Sequence, residues 1–150
     1  MGMKAAMWVH GTIVEAENPN IRPLRTGGGA QFGGTSQELN WFHIPITTPV
    51  ILDDVRPELG KILVLYNATG CTVKAVHVYD GPTKVWARDG LNLTGDHSLN
   101  IETEINSWKI GDPGPTIPIL FGLGISVGVE FRIDPGNILF TSAGADFLAP

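Results

Sequence analysis

The sequence predicts an all-β fold, a single-domain antiparallel β-sandwich of jelly-roll-like type, and three observations carry that expectation. Across residues 117–133 every second position is large and apolar: Ile117, Ile119, Phe121, Leu123, Ile125, Val127, Val129, Phe131 and Ile133. A period of two is the mark of a strand. No stretch of ten or more residues carries the 3.6-residue apolar period of a helix. Turn-forming sequences such as Asp80-Gly81-Pro82 and Asp89-Gly90 punctuate the chain, often enough for about eight to ten strands.

The alternate face of 117–133 holds Pro118, Leu120, Gly122, Gly124, Ser126, Gly128, Glu130 and Arg132. It is nearly bare, so something must lie close against it. Three occupants fit: the chain's own rings from Trp8, Trp41, Trp86 or Trp108, a neighbouring subunit, or a ligand. Fully extended, the stretch would span roughly 55 Å at about 3.3 Å per residue. A bend near its glycines is therefore expected, with the two halves serving different sheets.

The remaining elements follow in chain order. Residues 6–15 alternate loosely and read as a first strand, and the Gly-rich residues 18–36 read as a surface loop. That loop lacks the Gly and Lys spacing of a phosphate cradle. Residues 40–46 form a strand that Pro45, lacking a backbone donor, assigns to a sheet edge. Asp53 and Asp54 are placed to cap a turn over 55–60. Residues 61–66 and 71–79 read as two strands joined by the hairpin loop Asn67-Ala68-Thr69-Gly70, the first of them central. A strand follows at 83–88. Over 98–110, Leu99, Ile101, Thr103 and Ile105 point inward until a bulge near Asn106 and Ser107 shifts the phase to Trp108 and Ile110. A turn at 111–115 leads into the long strand. Asp134-Pro135-Gly136-Asn137 has the residues of a type II turn onto a last strand at 138–142.

Composition narrows the function classes. A chain of 150 residues suits one domain, 1–150, with one core. Charged residues make up only 17%, against about 25% in typical soluble domains, which leaves neutral surface or surface hidden in contacts. The net charge is −5 and the ten Lys and Arg are scattered, which argues against a nucleic-acid partner. Cys71 is the single cysteine, so no intrachain disulfide forms, and its place in a strand suggests a small core residue. The apolar run before His10 is too short for a signal peptide, so the expectation is a cytoplasmic protein, or one exported without a recognisable signal. Residues 113–129 are uncharged, yet their prolines, glycines and alternation contradict a membrane span.

No catalytic, metal or cofactor signature emerges. The four histidines, His10, His43, His77 and His97, include no His-x-His pair of the cupin kind. The acidic turns lack calcium-loop spacing. Glu102 and Glu104 lie about 7 Å apart on one strand face, as any alternating exposed strand produces. Gly124-Ile125-Ser126-Val127-Gly128 matches the letters of a nucleophile elbow, but Ser126 sits inside a strand with no helix after it.

What remains is aromatic. Strand parity puts Trp41 beside His43, and His77 beside Tyr79, Ala75 and Val73. Trp41, His43, His77, Tyr79 and Trp86 are the candidate ligand-binding residues, with flat rings suited to sugars. The phrases Trp41-Phe42-His43-Ile44-Pro45-Ile46 and Val76-His77-Val78-Tyr79-Asp80-Gly81 resemble segments of small uncharacterised microbial β-sandwich proteins. The resemblance covers the middle third of the chain and implies no activity. The sequence thus points to a non-catalytic binding or assembly module acting as a homo-oligomer, in its first specific form a lectin-like carbohydrate binder. A structural subunit of a shell or fibre is the alternative. Third comes an enzyme with a barrel-like cavity lined by His43, His77 and Tyr79.

Overall fold

The computed structural model describes residues 2–36, 38–111 and 114–150. The strands are β1 (Met3–His10), β2 (Glu15–Ala16), β3 (Leu24–Thr26), β4 (Gly29–Gly34), β5 (Glu38–Ile46), β6 (Glu58–Asp80), β7 (Thr83–Arg88), β8 (Leu93–His97), β9 (Ser107–Lys109), β10 (Ile117–Pro118), β11 (Leu123–Phe131) and β12 (Gly136–Leu148). All pair antiparallel in one curled sheet with the path β2-β5-β11-β6-β12-β4-β3. β1 lies along β12, and β7, β8, β9 and β10 pair with β6.

The 23-residue β6 organises this sheet. Its first half pairs with β12 from Glu58 to Thr69, and its second half pairs with β11 from Cys71 to Asp80. At the exchange Gly70 has φ +64°, and its carbonyl accepts hydrogen bonds from the amides of Arg132 and Ile133. The sheet folds over there, so β5 faces β4 and β12 without pairing to them. Phe42 of β5 packs 4.8 Å from Phe32 and 5.5 Å from Phe140, ring centre to ring centre. This is a sandwich core, filled by the inward faces of both layers: Ile62, Val64 and Tyr66 with Phe140 and Phe147, against Phe42, Ile125, Val127 and Val78, all buried.

Several expectations are corrected. Asn67-Ala68-Thr69-Gly70 is no hairpin loop; the turn after Phe131 packs against Gly70, and β6 runs on through it as one strand. Residues 117–133 break into β10 and β11 because 119–122 wrap the Asp80 carboxylate. That carboxylate accepts from the amides of Leu120, Phe121 and Gly122 at 2.8, 2.9 and 3.1 Å, which turns Phe121 out to 72% exposure. Residues 98–106 are not a strand. Leu99 and Ile101 are 86% and 59% exposed, while the buried Asn106 donates to the carbonyls of His97 and Asn100 and accepts from the amide of Glu102. Glu102 and Glu104 therefore share no strand face, and they pair separately with His97 and Arg88.

The Gly-rich region expected as a loop contains the β3–β4 hairpin, where Gly29 lies so close to the Phe140 carbonyl that a Cβ would meet it at 2.0 Å. Asp53 and Asp54 cap no helical turn; both take positive φ at the centre of a tight turn closed by Leu52 and Val55. Gly136 lacks the positive φ that a type II turn requires. Pro45 does lie at an open edge, since β2 pairs only with Phe42 and His43. Cys71 is buried, and burial pushes its thiol up to about 11. The turn expected at 111–115 includes Asp112 and Pro113, which lie outside the described residues. No helix among the described residues is long and apolar enough to cross a membrane.

Burial alone would raise the Asp80 carboxyl, but the three backbone donors and Arg56 outweigh it and hold the group below its ordinary 3.8. Its stabilisation is therefore complete above the unfolded value and is lost as pH falls through the lower folded one. Asp80→Asn is expected to cost roughly 2 kcal/mol at pH 7. In urea titrations over pH 2–7, that difference from the parent protein should shrink below about pH 4; a constant difference would contradict it.

Candidate functional site

Three adjacent strands build the site, and their register can be read across. On the outward face of β5–β11–β6, Trp41 stands beside Gly128 and Ala75, His43 beside Ser126 and His77, and Pro45 beside Gly124 and Tyr79. The inward partners Phe42, Ile44, Ile125, Val127, Val76 and Val78 are buried, which fixes this parity. Small residues on the middle strand between tall residues on its neighbours make a trough. It is a groove of ≈ 760 Å³, with Glu15, Glu17 and Lys84 completing its walls, a size suited to small ligands.

The floor is covered at one end and open at the other. The six-membered ring of Trp41 lies over Gly128, 3.2 to 3.4 Å from where a Cβ would stand, and 4.8 Å from the His77 ring. Nothing comes within 4 Å of a Cβ placed on Gly124 or Gly122. The chain's own tryptophan thus occupies the bare face at Gly128 but not at Gly124.

A polar relay crosses the groove. Glu17, whose amide donates to the Trp41 carbonyl, accepts from His43 Nε2 at 2.9 Å, and His43 Nδ1 lies 2.8 Å from the buried Ser126 Oγ. Arg25 steadies the wall that carries Glu17 by donating to the carbonyls of Thr12 and Val14 and to the Glu15 carboxylate. Opposite, His77 Nε2 donates to Asp89 at 2.8 Å.

The carboxylate, imidazole and hydroxyl have the connectivity of a nucleophilic relay. β11, however, is paired on both edges from Leu123 to Phe131. The amides of Ser126 and Val127 lie within these ladders, so the strand offers no pair of backbone donors for a developing oxyanion. Among the described residues no group of three or more His, Cys, Asp or Glu side chains is placed to hold a metal.

Four of the five residues singled out in the sequence, Trp41, His43, His77 and Tyr79, line this groove. Trp86 does not. It sits opposite Val78, packs against the core, and carries the Arg88 guanidinium 4.9 Å above its ring. Val73 also leaves the His77 face, because a bulge between Val73 and Ala75 turns it into the core. Sequence reasoning missed Glu17 and Lys84 and gave Ser126 no place in the groove that it lines. Parity with Gly124 and Gly128 carried a signal for Ser126, while Glu17 follows a 3-10 turn at Gly11–Ile13 that breaks the count.

The chain belongs to the DUF6623 family, a family of unknown function, which it matches over residues 2–137. No curated protein matches it. Among solved structures it is similar to TmCBM61 in complex with beta-1,4-galactotriose, at 11% identity and a TM-score of 0.42, over 91% of this chain and 86% of that one.

The Trp41–Gly128 contact is directly testable. A Gly128→Ala methyl needs the ring to move by a few tenths of an ångström. A loss of about 1 kcal/mol and a shifted Trp41 indole resonance are expected; an unmoved resonance would contradict the packing.

Proposed function

We propose that the groove binds a saccharide and that the protein acts by binding, without catalysis. The observation that carries this reading is the row arrangement itself: a trough floored by Gly124 and Ser126 and walled by Trp41, His43, His77 and Tyr79. Sugar rings present an apolar C–H face to aromatic walls, and their hydroxyls match the Ser126 hydroxyl of the floor and the imidazoles and carboxylate beside it. The ladder-bound amides of β11 support binding over acyl transfer.

A titration of the protein with soluble gluco-, galacto-, manno- and xylo-oligosaccharides, followed by amide NMR, tests this. At least one is expected to shift resonances at Trp41, His43 and Ser126. Trp41→Ala should weaken that binding about tenfold or more, and Trp8→Ala, in the opposite layer, should leave it unchanged. Silence across the panel would remove the saccharide reading.

Self-association is a second reading, supported by the apolar side chains of Leu99, Phe121 and Ile133, which stand 86%, 72% and 56% exposed. Light scattering after size exclusion should then give a discrete multimer, and a monomer at micromolar concentration would dismiss it.

A further inference from the structure

The groove's two imidazoles are wired alike. His43 and His77 flank Ser126 in one row across three strands, and each directs Nε2 at a carboxylate, Glu17 for one and Asp89 for the other. A carboxylate only accepts, so both Nε2 atoms carry hydrogen. In a neutral ring Nδ1 then holds a lone pair. His43 Nδ1 takes the Ser126 hydroxyl hydrogen, which leaves Ser126 Oγ with lone pairs alone for the groove. His77 donates to Asp89, and no hydrogen bond to its Nδ1 is found among the described residues.

We propose that this row reads hydrogen-bond donors: the ligand gives hydroxyl hydrogens to Ser126 Oγ and His77 Nδ1, and Glu17 and Asp89 are positioning residues that fix this polarity. The proposal rests on the saccharide reading above for the identity of the ligand, and on the free protein alone for the polarity. An ether oxygen, a fluorine or a carboxylate facing the row meets lone pairs and is rejected. A hydroxyl is accepted as a donor.

Imidazole tautomers test the polarity without a ligand. Long-range 1H–15N correlation spectra of the parent protein should show hydrogen on Nε2 and none on Nδ1 at both His43 and His77. Glu17→Gln and Asp89→Asn should each mix the tautomers of their own histidine and leave the other's intact. An imidazolium or an Nδ1–H tautomer at either ring of the parent protein overturns the proposal.

The ligand side uses the methyl pyranosides of glucose, galactose and mannose with their monodeoxy and monodeoxyfluoro analogues. At the position facing the row, fluorine should lose as much affinity as hydrogen, about tenfold. Fluoro analogues that all keep the parent affinity overturn the proposal. If neither a pyranoside nor the oligosaccharide panel binds, the saccharide reading is lost, and the tautomers still decide the polarity.

Discussion

A strand of 23 residues needs partners along both edges: on one, β6 exchanges β12 for β11 at Gly70, and on the other it pairs with β10, β9, β8 and β7. Everything else follows from that exchange. β12 takes the first half and β11 the second, and the short connection between them packs against the Gly70 carbonyl. Because β11 and β12 leave β6 in different layers, the sheet closes over its own apolar face, and Phe32, Phe42, Phe131 and Phe140 meet as a tilted aromatic cluster. Positive φ at Gly70 suits glycine, the residue that adopts it without a Cβ penalty.

The same pairing explains the character of the groove. β11 sits between β5 and β6 with both edges engaged, so its outward residues set depth and leave the backbone committed. Gly124 and Ser126 keep that depth and Gly128 lies under the Trp41 ring, while Trp41, His43, His77 and Tyr79 rise from the neighbouring strands. The relay from Glu17 to Ser126 is best understood in this setting. It sets which atoms of the floor give and which accept hydrogen bonds, on a surface whose own amides are occupied.

Parity made much of this legible beforehand. Alternation in 117–133 separated Ile125, Val127, Val129 and Phe131, which are buried, from the glycines of the floor. It likewise put Trp41 with His43 and His77 with Tyr79. Parity fails where the chain leaves the strand or gains a residue. Bulging at Lys74 redirected Val73, and the Asp80 carboxylate pulled 119–122 out of extension. Asn67-Ala68-Thr69-Gly70 has turn composition, yet pairing with β12 and the docked turn keep the chain in one strand through it, a tertiary override of local preference. Asn106 hid the exposure of Leu99 and Ile101 because a buried side-chain amide organises its loop by hydrogen bonds that apolar patterning does not register. Trp86 was placed by residue type alone, and its register opposite Val78 leaves it partly buried against the core.

Residues 125–129 lie at the middle of the paired part of β11, flanked by a ladder on each side. Their amides are engaged by a neighbouring strand on either side, so the floor of the groove is tied into the sheet at both edges. Such a platform is pre-organised: little backbone freedom remains there to be lost when a ligand arrives. Occupancy then acts on the global unfolding equilibrium, and a ligand at one hundred times its dissociation constant raises stability by about 2.7 kcal/mol.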